Sequence, residues 1–211
     1  MPFELSLQEG NFLINLARMA VRKYLETGKI LKPPENTPEE LFEHRGVFVT
    51  INHLRKGIKK LRGCIGYPYP TSPLAEAVIN SAISAATQDP RFYPLSLNEL
   101  ENVIFEISVL TPPVVIEVQN PKDYLSAIKV GEDGLIVEKG INKGLLLPQV
   151  PVEWNWCEED FLCQCCIKAG LLPDCWLTKR VKIYKFQAIV FGEEKPQGEI
   201  KRLQLKAKHI S

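Results

Sequence analysis

The stretch "KKLRGCIGYPYP" (59–70) puts Cys64 between two glycines, two residues beyond Arg62 and just after a lysine pair. A cysteine does chemistry as its thiolate, and a guanidinium nearby favours that form. Residues i and i+2 of a strand share a face about 6–7 Å apart, so Arg62 and Cys64 are expected side by side. Gly63 and Gly66 would leave the backbone open to a close ligand. The opposing reading is packing: unpaired cysteine is among the most buried residue types, and Phe48 is a natural cover for it.

A second cluster is "TQDPRFYP" (87–94), where Asp89 and Arg91 follow a helix end in a loop. The two would pair to fix the turn. If the loop folds over the Cys64 segment, Asp89 would orient Arg62 or act as a general base, with Arg91 as a second ligand-binding cation. A Cys–His dyad is not expected, because His44, His53 and His209 all fall away from Cys64 in this reading. Cys157, Cys163, Cys165, Cys166 and Cys175 lack the paired spacing of a zinc site, and no metal or cofactor is expected. Phe161, Leu162, Cys165, Cys166 and Ala169 instead make one apolar helical stripe, with Cys157 near the helix start. Trp154, Trp156 and Trp176 serve burial or ligand stacking, and Gln149 and Glu153 follow a strand. Arg55, Lys56, Lys59, Lys60 and Arg62 put five cations into eight residues, a pattern that contacts phosphates or keeps an edge hairpin soluble. Neither a Walker loop nor GxGxxG accompanies it.

These side chains need a scaffold. Ser6 and Glu9 form a capping box for an amphipathic helix that ends near Gly28. Thr37 caps a short helix with Pro38 at its first position. "GVFVTINHL" and "IKKLRGCIG" read as a β-hairpin over 46–66, closed by a three-residue loop, Arg55–Gly57. That loop pairs Ile51 with Leu61 and Val47 with Ile65 on the core face, and Thr50 with Arg62 and Phe48 with Cys64 on the other. A long helix follows from Ser72-Pro73 to about Gln88, stopped by Asp89-Pro90. It would turn Cys64 into core if it lay on the Cys64 face. Ser96 and Glu99 cap another short helix before the strand "NVIFEISVL". Strands are expected around Lys129, in "GLIVEKG" and in "GLLLPQV", then a helix over 158–169 and a last strand, "KIYKFQAIVF". The tail from Gly192 reads as polar and loose. Helices and strands mix without β-α-β alternation, so the class is α+β.

The 211 residues suit one domain or two closely packed lobes. A net charge of +1 excludes nucleic-acid binding driven by bulk charge. Neither a signal-peptide pattern at the start nor a run near ~18 apolar residues is visible, so a cytoplasmic protein with reduced thiols is expected.

"FVTI" (48–51), "LRGCIG" (61–66), "DPRF" (89–92), "VLTPP" (109–113), "VGEDGLIV" (130–137), "GLLLPQV" (144–150) and "FLCQCCIKAGLLPD" (161–174) closely resemble the AMMECR family, over about residues 6–192. The resemblance implies one AMMECR-like domain spanning the chain. Its fold would be α+β with two unequal, closely packed lobes, mainly antiparallel strands and a cleft between the lobes. It places a site around LRGCIG and suggests Memo-like and radical-SAM companion proteins. It supplies no reaction.

The functional expectation is a small-molecule-handling enzyme or enzyme component. Cys64 would be nucleophile or redox thiol, Arg62 the anion-binding group, with Thr50, Gly63, Gly66, Asp89 and Arg91 lining the site. The alternatives are a module that binds a partner or peptide, and RNA contact through the basic hairpin 55–62.

Overall fold

A computed structural model describes residues 4–178 and 180–204, so His209 lies outside the described residues. The elements are α1 (Leu7–Thr27), a 3-10 turn (Glu39–Phe42), β1 (Gly46–Arg55), β2 (Ile58–Tyr67), α2 (Leu74–Thr87), α3 (Leu97–Leu100), β3 (Val103–Leu110) and β4 (Val114–Val115). A 3-10 turn (Pro121–Asp123), α4 (Tyr124–Ala127), β5 (Asp133–Lys139), β6 (Asn142–Leu146), α5 (Gln149–Glu153) and α6 (Glu158–Lys168) follow. A last 3-10 turn (Cys175–Leu177), β7 (Lys182–Glu193) and β8 (Ile200–Leu203) complete the chain. The pairings β1–β2, β1–β3, β4–β7, β5–β6, β5–β7 and β7–β8 are antiparallel, and the class is α+β.

The chain divides into two units, residues 4–112 with 189–203, and residues 113–188. In the first, strands follow the order β2-β1-β3, then the end of β7, which also pairs with β8. Helix α1 starts on the Ser6–Glu9 capping box and ends at Gly28, whose φ of 69° suits glycine. Val47, Val49 and Ile51 of β1 and Val103, Phe105, Ile107 and Val109 of β3 share one face and pack under α1 and α2 in a single apolar core. Arg18 ties α1 to the strands from within that layer. It donates to Glu193 and to the Leu100 and Val103 carbonyls, while Glu193 accepts from the Phe105 N–H. In the second unit, β5 and β6 pair, β5 also pairs with β7, and α6 closes a core of Leu135, Val137, Phe161, Leu162, Cys165 and Trp176.

Several boundaries differ from the sequence reading. The hairpin turn is two residues, Lys56 and Gly57 (φ 51° and 78°), which leaves Arg55 opposite Ile58. Both central residues take the left-handed form that such tight hairpins require. Pro38 sits at the cap of the 3-10 turn, while the Thr37 hydroxyl donates to the Pro34 carbonyl. No strand forms around Lys129, whose N–H instead donates to the Asp133 carboxylate in a turn. "GLLLPQV" is half strand and half helix, because β6 ends at Leu146 and α5 starts at Gln149. The stretch expected to be a loose tail contains β8, paired with β7 from Glu193↔Ile200 to Val190↔Leu203. Alternation there is short and polar, so only the neighbouring strand declares it. Cys166 and Cys175 form a disulfide, against the expectation of six reduced thiols, while Cys64, Cys157, Cys163 and Cys165 are outside any disulfide.

Candidate functional site

The hairpin register decides where Cys64 points. From Val47↔Tyr67 to Ile51↔Gly63 the strands run in one register, and beyond Ile51 they shift by one, to Asn52↔Leu61. Arg62 is the extra residue of a β-bulge, which breaks the alternation of faces at that point. Thr50, not Phe48, therefore stands opposite Cys64, and Phe48 stands opposite Gly66. Cys64 keeps the expected face, away from the Val47/Val49/Ile51 core. Arg62 does not share it, and this corrects the side-by-side expectation for the two residues.

The bulge turns Arg62 toward α3, where Nε and Nη2 donate to the Glu99 carboxylate at 2.5 and 3.1 Å. His53 Nε2 meets the same carboxylate at 3.0 Å. Burial raises the Glu99 pKa, but the Arg62 hydrogen bond and charge, with His53 and the Ser96-capped backbone, outweigh it and hold Glu99 below the usual range. With only 12% of its side chain exposed, Arg62 is spent inside the chain. The sequence marks Glu99 only as a helix-cap partner of Ser96. Its N–H does contact Ser96 Oγ, yet its carboxylate serves Arg62 and His53.

Asp89 reaches the hairpin from the loop after α2. Its carboxylate accepts from the Cys64 backbone N–H at 2.9 Å and from Arg91 Nε and Nη2 at 2.9 and 2.6 Å. An N–H turned to Asp89 is outside the β1–β2 ladder, so Thr50 and Cys64 form a non-hydrogen-bonded pair, the type with the closer side chains. Thr50 Oγ1 accordingly donates to Cys64 Sγ at 3.2 Å. The Arg91 hydrogen bond, against burial and with the Cys64 and Arg91 backbone N–H groups, lowers the Asp89 pKa to about 2. Such a carboxylate, 2% exposed with its oxygens engaged, is a clamp rather than a general base. It does not orient Arg62, since Glu99 does.

Arg91 is the cation beside the thiol. Its hydrogen bond to Asp89, opposed by burial and helped by the charges of Asp89 and Cys64, raises its pKa. Half of its side chain (49%) stays exposed. Both guanidinium groups lie over the Phe92 ring, Arg91 at 5.5 Å and Arg62 at 5.7 Å from its centre, a spacing at which each cation is attracted to the ring.

Neither glycine leaves the backbone open. A Cβ on Gly63 would collide with the Ala85 carbonyl of α2, and one on Gly66 would lie 2.6 Å from Phe48 Cα and its ring. The helix α2 thus packs against the Gly63 face, so it does not turn Cys64 into core.

Elsewhere, Cys165 is fully buried and burial pushes its thiol up to about 12, so it is inert. Cys157 caps α6 and contacts Asp160. Trp154 is exposed and stacks on Trp156, while Trp176 is buried. Two of the five hairpin cations are tied within the chain, Lys59 to Glu106 and Arg62 to Glu99.

An antiparallel α+β chain whose hairpin edge holds a thiol beside a clamped arginine defines a class, and comparison supplies the family. The AMMECR1 family model matches residues 14–191. The chain is 55% identical to Protein PH0010 of Pyrococcus horikoshii over 206 residues, covering 97% of this chain and all of that one. It is 50% identical to Protein MJ0810 of Methanocaldococcus jannaschii, over 93% of this chain and 96% of that protein. The crystal structure of the uncharacterized protein PH0010 superposes with a TM-score of 0.92, covering 96% of this chain and all of that one. The chain belongs to the AMMECR1 family.

Proposed function

We propose that this protein is an enzyme or enzyme component that handles a small anionic, electrophilic molecule at the Cys64 thiol, with Arg91 as the anion-binding group. The observation that carries this reading is the Asp89 clamp. One buried carboxylate holds both the Cys64 N–H and the Arg91 guanidinium, so thiol and cation are fixed relative to each other while Arg91 stays half exposed. Thr50 donates to the sulfur, which favours the thiolate. The thiolate would displace a leaving group from an electrophilic carbon, the S–C bond forming as that group departs with its bonding pair, while Arg91 holds the anionic group of the same molecule. Arg62 takes a positioning role, held by Glu99 and stacked on Phe92.

The test is the pH dependence of Cys64 alkylation by neutral iodoacetamide and anionic iodoacetate, read at the Cys64 peptide by mass spectrometry. Cys64 is expected to titrate below the reference of about 8.5 and to favour iodoacetate several-fold. Arg91→Ala should abolish that preference and move the titration up, and Arg91→Lys should keep part of it. A thiol with an ordinary profile and no anion preference would overturn the reading and leave a partner-binding module in its place.

A further inference from the structure

The first unit's sheet has two unlike faces. Under α1 and α2 it is apolar, while the opposite face carries Cys64, Thr50, Asn52, Glu106 and Ser108. Strands β1 and β3 pair without a register shift from Gly46↔Leu110 to His53↔Val103, so side chains alternate regularly along β1 and Asn52 shares the Thr50 side. On that face Thr50 donates to the Cys64 sulfur and Glu106 pairs with Lys59. Asn52 differs. It is only 6% exposed, yet its side-chain carboxamide makes no hydrogen bond to any described residue. Leu61 and Ile104 stand opposite it and offer no polar side-chain group. The Ser81 hydroxyl and the Trp176 indole N–H are unpartnered too, but those atoms are sealed from solvent, whereas both polar ends of the Asn52 carboxamide keep a narrow opening. Burying an unanswered carboxamide costs stability that an apolar side chain would not. Such a cost persists where the group serves a ligand.

We infer that Asn52 binds an amide edge, N–H beside C=O, of the molecule whose electrophilic carbon sits at Cys64. This rests on the reading of Cys64 as a reactive thiol and names the substrate class. Asn52 is about 6–7 Å from Thr50 along β1 and about 7–8 Å from Cys64 on the diagonal. The Asp89 clamp lies on the other side of Cys64, because the N–H that Asp89 accepts from turns away from β1. Arg91, the sulfur and Asn52 thus follow one another across the strand, anion site first and carboxamide last. A carboxamide presents an acceptor beside a donor, so it meets an amide edge with two parallel hydrogen bonds. A second anion does not suit this end. Lys59, the cation that reaches the face, is taken by Glu106, which stands diagonal to Asn52. The ligand class is a small molecule with an anionic group for Arg91, an electrophilic carbon for the thiolate and a neutral amide for Asn52.

The experiment compares alkylation of Cys64, the thiolate displacing iodide, by N-(iodoacetyl)glycinamide and by N-(iodoacetyl)glycine methyl ester at one pH. The two probes match in length and electrophilic carbon, and only the first ends in a primary amide. Rates are read at the Cys64 peptide by mass spectrometry, and urea midpoints are measured for each variant. The unaltered protein should favour the glycinamide probe by roughly three- to ten-fold, the range of one or two net hydrogen bonds. Asn52→Leu and Asn52→Val should remove that preference, and Asn52→Gln should keep part of it. The urea midpoint of Asn52→Leu or Asn52→Val should equal or exceed that of the unaltered protein, because no hydrogen bond within the chain is lost. Equal rates for the two probes in the unaltered protein, or a preference that survives Asn52→Leu, overturn the assignment while Cys64 keeps its low pKa and its choice of iodoacetate. Lower midpoints in both Asn52→Leu and Asn52→Val would make the carboxamide a structural partner and overturn it as well. A pH-normal thiol with no anion preference overturns the assignment together with the reading beneath it.

Discussion

Asp89 shows how a single carboxylate can hold a strand and an arginine together. Its oxygens satisfy one backbone N–H and a two-pronged guanidinium, and its pKa falls to about 2. A carboxyl depressed in the folded state adds stability above its unfolded value near 3.8, and that stability is lost as pH falls through about 2. The contribution is on the order of 2 kcal/mol. Asp89→Asn should therefore flatten the fall in unfolding free energy between pH 4 and 2, measured by urea titration at each pH. An equally steep fall in the variant would show that Asp89 is not clamped. At this scale the sequence singled out Cys64, Thr50, Asp89 and Arg91, because motif and loop position flag them. It missed Glu99 and Glu106. The alternation of Glu106 and Ser108 with apolar neighbours in "FEISVL" was a legible sign of a polar face, but the partners of that face lie on other strands.

Hairpin β1–β2 places its polar side chains through an irregularity. One extra residue, Arg62, sends the cation to α3 and leaves the thiol on the polar face. Simple alternation cannot anticipate a bulge, because a one-residue shift exchanges the faces of everything beyond it. Gly63 follows the bulge because α2 passes close enough for the Ala85 carbonyl to fill the space of a side chain. Gly63→Ala should destabilise the protein by about 3 kcal/mol, seen as a lower urea midpoint, since a helix backbone cannot yield as a side chain can. Gly57→Ala, with φ at 78° and open space around it, should cost less and leave the Cys64 profile unchanged. Comparable losses at both positions would refute the close approach of α2.

Across the whole chain, one strand serves two units. The first part of β7 pairs with β5 and its end pairs with β8. The second unit is smaller, and there Cys166 on α6 is bonded to Cys175, nine residues on. A loop of that length confers about 2–3 kcal/mol by limiting the unfolded chain. Reduction should lower the thermal midpoint by several degrees, and thiol titration of the denatured, unreduced protein should find four free cysteines. Six thiols, with no effect of reductant, would disprove the bond. Among the described residues no helix is long and apolar enough to cross a membrane.

The sequence by itself determined the α+β class, the capped helix α1, the existence of the hairpin, the face on which Cys64 sits and the family resemblance. Each of these rests on local rules, since caps, turns and period-two alternation act over a few residues. Tertiary structure alone decided that Arg62 belongs to Glu99, that Arg91 shares Asp89 with the Cys64 N–H, and that Glu106 lies across Thr50 from Cys64. Those assignments follow from strand register, from a bulge and from a loop folded back 25 residues along the chain. Such contacts depend on which backbone groups remain unpaired once the sheet and helices have formed, and no local pattern encodes that.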